Sequence, residues 1–184
     1  HLATSHGDGT VMVWEIPPLA RAPWIAADAN RLWTNLADDD TEVAWHALWH
    51  LLDHPAEAMA LLKARLRPVP GVQDVAGLIA RLDHARYAVR EAASQRLAEY
   101  GELVEGDLLQ ALAGTPTAEQ RERLERLAKL LDPTLPPTGD TLRGLRCVWV
   151  LDRIGTPEAR KVLAELAAGA AGSRVTTEAM GALR

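Results

Sequence analysis

The pattern of hydrophobic and polar positions divides the chain into a short β-type start and a long helical remainder. Between Thr10 and Trp14, valines alternate with other side chains at the period of two that a strand requires. Gly7-Asp8-Gly9 precedes them and supplies residues that tolerate the positive φ of a hairpin turn. The pattern therefore predicts a β-hairpin within residues 1–15.

From Asp28 onward, apolar residues recur at spacings of three, four and seven positions, which is typical of amphipathic helices. Asp39 or Asp40 is placed to cap the second helix, and Asp53-His54-Pro55 ends it. A third helix is predicted over residues 55–66, before the break at Arg67-Pro68-Val69-Pro70-Gly71. Further helices are predicted near residues 72–82, 85–100, 104–113, 117–131, 140–154 and 156–168, with a last turn or two after Thr176.

Residues 16–27 are predicted to form a linker between these two parts. Three prolines, Pro17, Pro18 and Pro23, fix φ and remove backbone donors, so an extended and semi-rigid segment is expected. Trp24 and Ile25 are expected to anchor it against the helical body. The predicted organisation is a β-hairpin over 1–15, a linker over 16–27 and an all-α domain over 28–184.

Two of the predicted helices share one spacing of residues. Ala93-x3-Leu97-x3-Gly101 recurs as Cys147-x3-Leu151-x3-Gly155, which places a small residue, a leucine and a terminal glycine on one face. Each glycine can take the left-handed conformation that ends a helix. Antiparallel helix pairs of this form resemble HEAT repeats, and the helix beginning at Tyr87 looks most like a HEAT first helix. The resemblance implies an irregular HEAT-like stack in which Arg90 braces neighbouring units through a carboxylate, with Asp83 as the candidate.

The first fifteen residues resemble the end of a WD repeat, the propeller-blade unit that closes on a Trp-Asp dipeptide, here Trp14-Glu15. A blade has four strands and a propeller several blades, so the resemblance implies a longer protein cut inside its last blade. Together with Leu32-Trp33-x-x-Leu36-Ala37 and Ile154-Gly155-Thr156-Pro157, this start looks like the C-terminal region of large bacterial WD-repeat proteins. That class implies a propeller followed by a helical tail that acts as an interaction platform, with no assigned catalytic residues.

Charge is distributed unevenly along the 184 residues. The first 60 residues hold nine acidic and two basic side chains, a net charge of −7, and the remainder holds 16 acidic and 18 basic ones. Neither part has the concentrated positive stripe of a nucleic-acid-binding protein, and no run of about 18 apolar residues could span a membrane. Charged pairs such as Glu119/Arg123 predict an exposed helix near residues 117–131.

His46 and His50 are the sharpest candidates for chemistry. Their i, i+4 spacing places both on one helical face, where such a pair can bind a divalent metal. The triplet between them, Ala47-Leu48-Trp49, lacks the acid of a zincin motif. We therefore expect no catalytic residue, metal or cofactor, and a metal-binding or enzymatic domain that uses this pair is the alternative. The single cysteine, Cys147, lies in an apolar run and is interpreted as a core residue rather than a reactive thiol.

Trp33, Trp45 and Trp49 fall within 17 residues of one another. Packing in the core is one interpretation, and exposure as protein-binding hot spots is the other. Together the patterns predict a non-catalytic protein–protein interaction or scaffold module. Its partner is expected to be another protein, of unknown identity, or the chain's own upstream propeller, for which the tail would be a structural cap.

Overall fold

A computed structural model describes residues 22–131 and 136–184, together with two strands near the start of the chain. The strands, β1 (Leu2–Ser5) and β2 (Val11–Trp14), pair antiparallel, with Leu2 opposite Trp14 and Ser5 opposite Val11. The predicted Gly7-Asp8-Gly9 turn and most of the predicted linker, residues 15–21, lie outside the described residues. The assignment of this segment to a propeller blade stays a prediction.

Helices are the only regular elements of residues 22–131 and 136–184, which confirms the all-α prediction for that part of the chain. The α-helices are α1 (Ala29–Asn35), α2 (Thr41–Asp53), α3 (Pro55–Arg65), α4 (Val75–Arg81), α5 (Tyr87–Tyr100), α6 (Glu105–Ala113), α7 (Ala118–Leu130), α8 (Gly139–Ile154), α9 (Pro157–Ala167) and α10 (Arg174–Ala182). Short 3-10 helices precede α1 at Ala26–Asp28 and α6 at Gly101–Val104.

Local capping chemistry explains where several helices begin and end. Asp40, one of the two predicted caps, accepts a hydrogen bond from the Glu42 backbone N–H at 2.9 Å and begins α2. Thr156 caps α9 in the same way through the Ala159 N–H. Gly155 ends α8 at φ 64° and ψ 7°, the predicted left-handed conformation. Gly101 ends α5 with a positive φ of 59° but a ψ of −137°, so the left-handed helical conformation predicted there is wrong.

The buried apolar residues form two clusters. The split core takes its residues from α1, α2 and α3 near the start of the chain and from α8, α9 and α10 at its end. The middle core takes its residues from α4 to α7 and the 3-10 helix before α6. Helices α2 and α3 therefore pack against α8 and α9, although more than 70 residues separate them in sequence. The HEAT-like arrangement stays a prediction, because helices adjacent in the split core are not consecutive in the chain.

Two arginines of α8 hold the carboxyl end of α1. Arg143 Nε donates to the Trp33 carbonyl at 3.0 Å, and Arg146 Nη1 donates to the carbonyls of Leu36 and Asp38 at 2.9 and 2.7 Å. The last carbonyls of a helix have no partner within it, and they carry the negative end of the helix dipole. The two guanidinium groups satisfy both demands and join α1 to the end of the chain.

The middle core contains a buried guanidinium that sequence reasoning placed in solvent. Arg123 is 7% exposed; its Nε donates to Glu119 Oε1 at 2.8 Å, and Nη1 donates to Ser94 Oγ at 3.2 Å. The Arg123 hydrogen bond is the main cause that lowers the pKa of the Glu119 carboxyl. Arg90 Nε donates to the same Glu119 oxygen at 2.9 Å, so the expected pairing of Arg90 with Asp83 is wrong.

The two cores meet where the chain enters α10. Glu102 accepts a hydrogen bond from the Arg174 backbone N–H at 2.9 Å and lies 3.4 Å from its guanidinium. Beside this pair, Gly172 approaches the Leu103 backbone so closely that an added Cβ would lie 3.0 Å from the Leu103 carbonyl oxygen. An ion pair and a close backbone contact thus connect the split core to the middle core.

The Asp40 cap predicts a difference between two adjacent aspartates. Asp40→Ala leaves the Glu42 N–H without its acceptor and should lower the free energy of unfolding by about 1 kcal/mol. Asp39→Ala removes an exposed carboxylate outside the cap and should change it by less than about 0.5 kcal/mol. Urea unfolding followed by circular dichroism measures both values. Equal losses would contradict the assignment of the cap to Asp40.

The buried arginine predicts a second matched comparison, within α7. Arg123→Met removes charge-assisted hydrogen bonds to Glu119 and should lower the free energy of unfolding by about 1–3 kcal/mol. Arg126→Met removes a similar i, i+4 pair with Glu122, but this pair is exposed and should cost less than about 0.5 kcal/mol. If the Arg126 variant were the less stable of the two in the same urea titration, the network around Arg123 would not be a structural element.

Candidate interaction surface

Helix α2 has one buried face and two flanks that carry different side chains. Its buried residues, Ala44, Ala47, Leu48 and Leu51, face the split core. With 3.6 residues per turn, this face places Trp45 and Trp49 on one flank and His46, His50 and His54 on the other. The tryptophans and histidines that the sequence places together in α2 therefore do not form one site.

The tryptophan flank is exposed. Trp45 and Trp49 expose 49% and 47% of their surface, so the interpretation that they fill the core is wrong. Their ring centroids are 5.4 Å apart with an interplanar angle of 75°, the edge-to-face geometry that aromatic pairs prefer. The pair presents a preformed aromatic surface to solvent. Sequence periodicity missed this because both residues border the apolar stripe of α2.

Acidic residues lie at both ends of the aromatic pair. Glu42 precedes Trp45 by three positions, and Asp53 follows Trp49 by four, so the helical spacing places all four residues along one flank. The Glu42 side chain is 85% exposed, and Asp53 is the last residue of α2. We call Glu42, Trp45, Trp49 and Asp53 the acidic tryptophan stripe.

The histidine flank contacts the segment that leads into α1. The His50 ring stacks on Trp24 with centroids 5.5 Å apart, and the His54 Nε2 atom lies 2.6 Å from the Ala22 carbonyl oxygen. Trp24 thus holds this segment against α2, whereas Ile25, the other expected anchor, is 52% exposed. These contacts give His50 and His54 a structural role.

His46, the first member of the candidate metal pair, projects into solvent, and its Nε2 lies 4.0 Å from Glu42 Oε1. His46 and His50 border a shallow pocket of about 280 Å³ between α1 and α2, which the Asp28–Arg31 ion pair also lines. Within residues 22–131 and 136–184, no three histidine, cysteine or acidic side chains are grouped so that they could hold a metal ion.

Trp33, the third tryptophan of the predicted surface, lies elsewhere. It is half-buried beside the split core, and two guanidinium groups lie over its ring, that of Arg143 at 4.9 Å from the centroid and that of Arg65 at 5.5 Å. Arg65 and Arg143 are distant from Trp33 in sequence, so no local pattern could have identified this cluster. The structure therefore separates Trp33 from the acidic tryptophan stripe.

Cys147 lies in the split core and is fully buried. Burial raises the pKa of its thiol to about 12, because the apolar surroundings disfavour the thiolate. A thiol needs its thiolate form to act as a nucleophile. The interpretation of Cys147 as a core residue is confirmed.

Comparisons of the chain with protein-family models, with curated proteins and with solved structures found no match. Among the helices of the described residues, none combines the length and the apolar character needed to cross a bilayer. The kinship with WD-repeat proteins accordingly stays a prediction from the sequence. The exposed aromatic pair and the charges around it are the features from which a function can be argued.

The buried thiol predicts a reaction that depends on unfolding. At pH 8 the folded chain should leave Cys147 unmodified by a thiol-specific disulfide reagent for as long as the protein stays folded, because its pKa of about 12 leaves almost no thiolate. In 8 M urea the same reagent should titrate one thiol per chain within minutes. Rapid reaction of the folded chain would contradict the core position of this residue.

Proposed function

We propose that this chain is a non-catalytic protein–protein interaction module and that the acidic tryptophan stripe of α2 is its docking surface. The observation that carries the proposal is the edge-to-face pair of Trp45 and Trp49, each about half exposed. Exposed aromatic pairs are uncommon on a surface without a partner, because burying two indole rings removes a large apolar area from water. Tryptophan is also the residue most enriched among interface hot spots.

The charges around the stripe favour a partner that presents a basic segment. Glu42 and Asp53 frame the aromatic pair, and Asp38, Asp39 and Asp40 are exposed just before α2. A lysine or arginine side chain can contact the face of an exposed indole while its charge lies near a carboxylate. The same acidic field speeds the encounter with basic segments and disfavours acidic ones.

The proposal includes an architecture in which this module follows a WD-repeat propeller as an irregular HEAT-like tail. The strand pattern of residues 2–15 and the Trp14-Glu15 dipeptide support the first part. The α8–α9 pair, joined through Gly155 and Thr156, supports the second. The rival is a structural cap, whose conserved task would be to stabilise the propeller and whose α2 surface would bind no other protein.

A peptide-display selection on the 184-residue chain tests this function. Trp45→Ser/Trp49→Ser is the counter-selection variant, and Leu109→Ser/Leu130→Ser, which changes two exposed leucines of the middle core helices, is its matched control. Selected peptides should be enriched in lysine and arginine together with apolar residues. They should bind the tryptophan variant at least ten-fold more weakly and bind the leucine variant unchanged.

The charge contribution has its own variant. Glu42→Gln removes one exposed carboxylate and should weaken the selected basic peptides about two- to five-fold at low salt, with a smaller effect at 0.5 M salt. Selection that yields no peptide dependent on Trp45 and Trp49 would overturn the docking surface and favour the cap. Enrichment of acidic peptides would overturn the assignment of a basic partner.

A further inference from the structure

A second concave site lies on the side of the split core where α1, α3, α8, α9 and α10 meet. This pocket has a volume of about 250 Å³ and none of its lining comes from α2. Its polar wall is formed by Arg65, Arg67 and Arg143 around the indole of Trp33. Its apolar wall is formed by Leu66, Val69, Leu166 and Val175. We call it the arginine pocket.

The arginine pocket is positive in a protein whose net charge is −5. Three guanidinium groups line it, whereas a single carboxylate does so, that of Asp140, whose side chain is 93% exposed although it pairs with Arg143. Arg65 and Arg143 both lie within 5.5 Å of the Trp33 ring centroid, so their charges are held close together. A guanidinium cannot lower this repulsion by losing its proton. An anion in the pocket would lower it.

The guanidinium groups differ in how much of their hydrogen-bonding capacity the protein uses. Arg67 donates to the carbonyls of Lys63, Ala64 and Leu66 and thereby caps α3. Arg65 donates through Nη2 to the Asn30 side chain. Arg143 donates through Nε to Trp33 and through Nη1 to Asp140. No described residue accepts a hydrogen bond from Arg65 Nε or Nη1, or from Arg143 Nη2.

The floor of the pocket is apolar and held in place by close packing. Gly144 of α8 lies so near α10 that an added Cβ would come within 2.6 Å of Val175 Cγ2. The aliphatic side chains opposite the arginines therefore belong to packed helices rather than to loops. A ligand that fills the pocket would contact guanidinium donors at one end and branched aliphatic groups at the other.

We propose that the arginine pocket binds a small carboxylate that carries a compact aliphatic group, such as a C-terminal leucine or a free branched-chain acid. The guanidinium fork matches the two oxygens of a carboxylate, and Arg65 offers two adjacent donors, Nε and Nη1, in that geometry. The aliphatic group lies against Leu66, Val69, Leu166 and Val175. The volume is below that of a drug-sized site, which limits the ligand to roughly ten to fifteen non-hydrogen atoms.

The test is calorimetric titration of the 184-residue chain with N-acetyl-leucine, N-acetyl-leucinamide, 4-methylpentanoate and inorganic phosphate at constant ionic strength. N-acetyl-leucine should bind with a Kd on the order of 1 mM, the affinity expected for so few atoms. The amide and inorganic phosphate should bind at least ten-fold more weakly. Tighter binding of N-acetyl-leucine than of 4-methylpentanoate assigns the pocket to a peptide terminus, and the reverse order assigns it to a free acid.

Arg65→Gln is the informative variant, because Arg67 and Arg143 cap helices and their loss would disturb the fold. It should weaken N-acetyl-leucine at least five-fold. Arg153→Gln is the matched control, since Arg153 also lies over a tryptophan, Trp149, at 5.2 Å but lines no part of the pocket. Equal affinity for the carboxylate and its amide, equal affinity for inorganic phosphate, or an Arg65 variant that binds as tightly as the parent would each overturn the proposal.

Discussion

The capping of α1 by two arginines of α8 is the interaction on which the arrangement of the split core depends. Helix α1 has only seven residues, too few to be stable alone, and its last carbonyls would otherwise face water or lie unpaired against the core. Arg143 and Arg146, one turn apart on α8, supply three hydrogen bonds to those carbonyls. The same contacts fix the start of the Asp38–Asp40 turn from which α2 begins, and so they fix the orientation of the stripe on α2.

The tryptophans of the first three helices serve different purposes that depend on the charges around them. Trp24 stacks on His50 and attaches the entering segment to α2. Trp33 lies between guanidinium groups, where its electron-rich ring partly offsets their positive charge. Trp45 and Trp49 have carboxylates as their neighbours along α2, and their faces stay open to solvent. One residue type therefore contributes to an anchor, to a cationic pocket and to an acidic surface within a single helical body.

Sequence reasoning located the helices because their ends depend on local chemistry. Pro55, Pro157, Thr156 and Gly155 act on their own turn, and each marks a helix boundary where it was expected. The burial of Arg123 could not be predicted, since Arg126 has the same i, i+4 partner type and differs only in what packs above it. The Arg65–Trp33–Arg143 cluster was equally inaccessible, because it joins residues up to 110 positions apart. The exposure of Trp45 depended on how far α8 covers the edge of α2, a distance that periodicity does not contain.

The division of the split core between the two ends of the chain constrains the order in which a ribosome can complete this fold. Helices α4 to α7 have all their core partners within residues 75–131 and can pack as soon as that stretch emerges. Helices α1 to α3 emerge earlier, yet their apolar faces wait for α8 to α10, the final segment to be translated. Through most of synthesis these faces are a natural client surface for chaperones, and their release coincides with the end of translation.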